Sequence, residues 1–161
     1  MAVNTGKIQR RKLRFDNLDQ LLGELDRIQQ AHESDRIKLQ GNWTLGQILS
    51  HIAAWIEYGY VGYPVKPPPF FIRWILKLMV GKYLKSGMPS GVKIPGTKEG
   101  TFGQDDVPVA EAADRLRKNI ERLKAREPAK FDSPAFGAMS HDDRIALNLR
   151  HAELHLGFVS Y

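Results

Sequence analysis

The chain of 161 residues contains no cysteine. That single absence excludes disulfides, thiolate metal ligands and a cysteine nucleophile, so any transition metal must be held by nitrogen and oxygen. Long apolar runs are missing too: the greasiest stretch, FFIRWILKLMV, is broken by Arg73 and Lys77, which argues against a membrane span. No apolar segment follows the basic N-terminus MAVNTGKIQRRKLRF, so no signal peptide is expected and the cytoplasm is the expected location. Acidic residues are absent from Lys66 to Lys98, a segment with seven basic ones. No strand-like alternation and no internal repeat is found.

What is present fits one soluble domain over residues 1–161. The apolar fraction of 42% and the charged fraction of 26% are ordinary, and the length suffices for a real core. A net charge of +6 makes nucleic acid the first partner to test. Yet there is no zinc-finger spacing, RNA-binding aromatic motif or helix-turn-helix, and nucleic acid is not expected as a partner. The excess lies in a basic tail, residues 1–14, expected to be flexible (Lys7, Arg10, Arg11, Lys12, Arg14), and in the 66–98 segment. These read as a solvated basic surface, an anion site or a membrane-touching face.

Four segments carry helical periodicity. The first follows Asp16 as N-cap, with Leu18, Leu21, Leu22, Leu25 and Ile28 on one stripe. The second opens at Thr44 and runs to about Gly62 on an arc of Leu45, Ile48, Leu49, Ile52, Trp55 and Ile56. The third covers Val107 to Arg126 and ends before Pro128. The fourth starts at the capping-box-like SHDD after Met139 and is expected to continue almost to Tyr161. The fold class read from this is all-α, a four-helix bundle.

Residues 63–106, between the second and third helices, form a connection far longer than bundle loops usually are. Part of it is helical in pattern, with Phe70, Phe71, Trp74, Ile75, Leu78 and Met79 at the right spacing; the rest is rich in Gly and Pro. A connection this long can return along the whole bundle. Helices two and three can then run parallel, an up-down-down-up topology.

The stretch LRHAELHLG places His151 and His155 four residues apart on the last helix. With Ile145 at zero and about 100° per residue, Leu149, Ala152, Leu156 and Val159 cluster near zero. Asn148, His155 and His151 follow at roughly 300°, 280° and 240°, and Phe158, Leu147 and Leu154 lie near 200°. Both imidazoles therefore look inward, with Arg150 and Glu153 on the polar side. Their Cβ atoms, about 5–6 Å apart, allow one shared ion, but two histidines alone are a weak motif.

A third ligand is needed, and His51 is the best candidate. It lies about 10 Å into the second helix, while His155 and His151 lie about 8–14 Å from the end of theirs. If those helices are antiparallel, as the long crossover predicts, all three meet at one level. Gln47, Trp55, Tyr58 and Asn148 fall near them as pocket or ligand-orienting groups. His32 suits the C-terminal dipole of the first helix, and His141 reads as solvated, a distant substitute ligand. No separate general base stands out: Glu153 points away, and Glu57 is opposite Ile48.

At these residues a family resemblance emerges. WTLGQILSHIAAW resembles the second-helix motif of the DinB-like superfamily of metalloenzymes, and HAELHLG its motif on the last helix. PAFGAMSHDD and LRHAELHLGF together are similar to an uncharacterised bacterial branch of it, with the likeness running from about Phe15 to the end. The resemblance implies an up-down-down-up four-helix bundle and a divalent metal on His51, His151 and His155. It further implies transferase or isomerase chemistry with low-molecular-weight thiols in some relatives, and dimers in many. The basic insertion departs from the family's pattern, which leaves the substrate open.

Two functions are expected on this basis. The first is a metal-dependent enzyme of transferase or hydrolase type acting on a small molecule, possible thiol dependence included. Three neutral imidazoles leave an open coordination position; zinc or nickel is favoured, with manganese or iron as alternatives. Phe70, Phe71, Arg73, Trp74 and Lys77 would form its lid. The second is a non-catalytic helical module whose basic amphipathic segment touches an anionic partner or a membrane surface.

Overall fold

The structure, a computed structural model, describes residues 3–94, 97 and 100–161; Lys98, the end of the basic segment, lies outside the described residues. After a 3₁₀ turn at Thr5–Lys7 come α1 (Leu18–Glu33), β1 (Lys38–Leu39), α2 (Leu45–Val61), α3 (Phe70–Ser86), α4 (Val109–Lys124), α5 (His141–Leu156) and β2 (Val159–Ser160). The chain is thus mainly helical, with five α-helices among the described residues and one small sheet.

The periodic stripes become the core. Leu21, Leu25 and Ile28 of α1 meet Leu49 and Ile52 of α2, Leu116, Ile120 and Leu123 of α4, and Leu149 and Leu156 of α5. Each such side chain, fully buried, contributes about 1.5–3 kcal/mol of transfer free energy. The packed pairs α1–α4, α4–α2, α2–α5 and α5–α1 close a ring around this core.

Named contacts give the order of pairing. Along α2 and α4 it is the same: the Val107 carbonyl abuts Gly46, the Asn119 amide reaches the Ala53 carbonyl at 3.4 Å, and the Arg122 guanidinium covers the Tyr60 ring at 3.7 Å. Gly46 is required there, because a Cβ would lie 2.1 Å from the Val107 oxygen. Along α2 and α5 the order is opposite: Trp43, just before α2, stacks on His155, while Gly59 lies against Arg144. α1 and α4 also pair in opposite order, through Arg117–Asp26 and Lys124–Asp19, each at 2.8 Å.

Several local expectations are corrected. Asn17 rather than Asp16 caps α1, its side chain accepting from Gln20 N. The last helix stops at Leu156, not near Tyr161, and the strand that sequence reading missed follows: Leu39 pairs with Val159 and Lys38 with Ser160. The stop has a physical cause, since Gly157 lies against the N-terminal segment, its carbonyl accepting from Arg11 N at 2.9 Å. The supposed polar side of this helix is buried as well. Arg150 and Glu153 form an ion pair at 2.8 Å, and both grip the Phe15 backbone: Glu153 accepts from its N–H, and Arg150 donates to its carbonyl.

Helix α3 has no buried residue. Its inner side touches α5 and rests Tyr83 edge-on against Phe136, with the Arg73 guanidinium beside Gly137.

Candidate metal centre

Two helix starts set the site. Thr44 caps α2 by accepting from Gln47 N, while the Gln47 side chain accepts from Thr44 N, closing a capping box that fixes the helix register. His51 then falls in the second turn, facing the core at 2% exposure. Ser140 caps α5 by accepting from Asp143 N, and the same inward arc carries His151 and His155 one turn apart.

The three imidazoles converge. One ring nitrogen from each lies within 4.8 Å of the other two. The ring centroids of His51 and His155 are 4.5 Å apart, those of His151 and His155 4.6 Å, and those of His51 and His151 5.0 Å. His51 Nε2 and His151 Nε2 are separated by 3.2 Å, close to the spacing of two nitrogens on one tetrahedral ion with bonds of about 2.0–2.1 Å.

The backbone around Phe102 fixes the tautomer of His51. Its Nδ1–H donates to the Phe102 carbonyl at 2.7 Å, which leaves the Nε2 lone pair turned into the cluster. Trp55 Nε1–H donates to the same oxygen at 3.3 Å. The chain can come so close only because the next residue is Gly103. Its φ is +79°, and a Cβ there would lie 2.6 Å from Ala54 Cβ and 2.9 Å from the Tyr58 hydroxyl oxygen.

Aromatic rings enclose the cluster. Trp43 stacks on His155, 5.3 Å between centroids and 11° between planes, and tilts over His51 at 4.9 Å. Trp55 meets His51 and His151 edge-on at 6.0 and 5.9 Å. Desolvation dominates the electrostatics. Burial pushes His51 down to about 4 against the partial opposition of its Phe102 bond, and it holds His151 and His155 well below the usual imidazole range. All three are therefore neutral at pH 7, the protonation state that metal ligation needs.

The other residues singled out in the sequence are dispersed. Trp55 lines the cluster, whereas Tyr58 sits behind it, packed on Trp55 and Tyr63. Gln47 is engaged in the capping box, and Asn148 donates to the Arg144 carbonyl of its own helix. His141, read as solvated, has its Nε2 2.9 Å from the Leu123 carbonyl, while His32 is exposed at the end of α1. Phe70, Phe71 and Trp74 stand in solvent, at 83%, 54% and 65% exposure, and Lys77 is exposed beside them. Phe102, Gly103 and Trp43 were not anticipated as site residues; the TFG triplet inside a Gly-rich connection and the Trp before the α2 cap are their only sequence signals.

A family model described as Protein of unknown function (DUF1569) matches residues 7–161. No curated protein and no solved structure matches the chain.

Proposed function

Because the chain belongs to the DUF1569 family of unknown function, we propose its activity from its own residues: a metal-dependent enzyme of transferase or hydrolase type, acting on a small molecule at His51, His151 and His155. The observation that carries this reading is the convergence of three neutral imidazoles from two helices, one held in the ligand tautomer by the Phe102 carbonyl. The donor set fits a borderline divalent ion, zinc or nickel before manganese or iron, since it offers imidazole nitrogen and no thiolate. Such an ion would supply Lewis acidity, lowering the pKa of a water or thiol in its open position.

The chain's own residues have separable roles. Trp43 and Trp55 exclude water from the imidazoles and hold His155 and His51 in place. Tyr58, its pKa raised by burial, keeps its phenol proton and backs Trp55 edge-on at 5.8 Å. Of the acidic residues on the two helices that carry the histidines, Glu57 is bound by Arg115, and Glu153 by Arg150 and Phe15 N, so neither is free to act as a base.

Kinship with the DinB-like superfamily and an up-down-down-up bundle belong to the same proposal, supported by the two histidine motifs and by the pairing order of α1, α2, α4 and α5. So do a cytoplasmic location and a homodimer. No described helix is long and apolar enough to cross a membrane. The test is turnover of the metal-loaded chain on activated esters and alkyl electrophiles, with and without small anionic thiols. Metal-dependent turnover that His151→Ala abolishes supports the reading. Turnover indifferent to that substitution contradicts it.

A further inference from the structure

We infer that the outer face of α3 docks on an anionic lipid surface, with the helix lying in the headgroup layer. This surface uses none of the three histidines and stands independently of the metal site.

With Phe71 at zero and about 100° per residue, Ile75, Leu78, Trp74 and Phe70 fall at roughly 40°, 340°, 300° and 260°. These five large apolar side chains share one arc, and all are exposed. The opposite arc, Leu76, Val80, Tyr83 and Leu84, is the half-buried one that seats the helix on the protein. So α3 presents a second apolar face outward, a contiguous patch rather than the scattered apolar residues normal for a surface.

Charge selects the occupant. Lys82 and Lys85 lie on the same outward arc, about one and two turns beyond Leu78, and Lys77 lies at its edge; all three are exposed. From Tyr63 to Ile94 there is no carboxylate. A second copy docking face to face would bring these lysines together with no acid in either segment to pair them. A soluble polyanion would satisfy the lysines and leave Phe70, Phe71 and Trp74 in water. An anionic bilayer serves both groups at once: aromatic and aliphatic side chains enter the headgroup–acyl boundary while lysines reach lipid phosphates along their own alkyl stems. The helix, about 25 Å long, would lie on the membrane and not span it.

The test is co-sedimentation of the full chain with vesicles of phosphatidylcholine alone or with about one third phosphatidylglycerol. Quenching of tryptophan emission by brominated acyl chains is read in parallel. Binding to the anionic vesicles is expected to exceed that to the neutral ones by about tenfold or more, and to weaken in high salt. A Lys77→Glu, Lys82→Glu, Lys85→Glu variant and a Phe70→Ser, Phe71→Ser, Trp74→Ser variant should each lose about tenfold or more of it. Both replace only exposed side chains, so helicity by circular dichroism should persist. Trp74→Phe alone should bind and lose the quenching. Three results overturn the inference: no binding to anionic vesicles by folded wild type, binding unchanged in both triple variants, or a dimer in sedimentation velocity that those variants dissociate.

Discussion

His51 loses nearly all contact with water and keeps one hydrogen bond to a carbonyl, and this environment makes the folded chain acid-sensitive. An unfolded imidazole takes its proton near pH 6.5, whereas folded His51 does so only near about 4, and His151 and His155 shift in the same direction. Between those limits the unfolded chain binds more protons than the folded one. Stability is therefore fully present above about pH 6.5 and is lost as pH falls toward about 4. For His51 alone the loss is on the order of 3 kcal/mol, at 1.36 kcal/mol per pKa unit. Urea unfolding of chelator-treated protein should show this slope, and His51→Ala should flatten it; an unchanged slope would mean that the imidazoles are solvated. Gly103 is the second residue whose setting makes a sharp prediction. Gly103→Ala must adopt a positive φ and place a methyl against Ala54 and Tyr58, so a loss of about 2 kcal/mol or more is expected. Displacing Phe102 should also weaken metal binding by about 10–100-fold, the range for a ligand-orienting hydrogen bond. Urea unfolding of that variant checks the first figure and calorimetric titration of metal the second.

The outer side of α5 looks polar in sequence and is buried in fact, because the entering segment at Phe15 covers it. Arg150 and Glu153 complete each other there, and removing one leaves a buried charge behind. Glu153→Ala is expected to cost about 3–5 kcal/mol, whereas Arg150→Met with Glu153→Leu should recover most of that. If Glu153→Ala unfolds at the wild-type urea midpoint, the pair is not buried in solution. The same helix shows how far sequence reading reaches. The inward arc of His151 and His155 was legible because period 3.6 relates neighbours on one element, and Thr44 and Ser140 marked their helix starts by capping chemistry. The end of α5 was not legible: it depends on Arg11 and Lys38, residues more than a hundred positions away. Trp74 and its neighbours illustrate the same limit, since periodicity shows an apolar stripe without saying whether it faces protein or water. The Phe102 carbonyl has no side-chain signature at all.

At the scale of the whole molecule, two capped helices bring His51 to His151 and His155, a hundred residues away in sequence, and the long connection between α2 and α4 supplies the carbonyl that orients His51. Level and facing, both computed from helix geometry, anticipated the convergence because they require only that α2 and α5 pair in opposite order. A site built this way should couple metal binding to the fold: an ion at a hundred times its dissociation constant stabilises by about 2.7 kcal/mol. Whether the three imidazoles hold an ion is tested by calorimetric titration of zinc or nickel into chelator-stripped protein at pH 7.5, beside a His151→Ala, His155→Ala variant. One ion per chain is expected in wild type, with an affinity loss in the variant beyond the hundredfold reached by ligand-orienting changes. Equal stoichiometry and affinity in the two proteins would contradict ligation by these histidines.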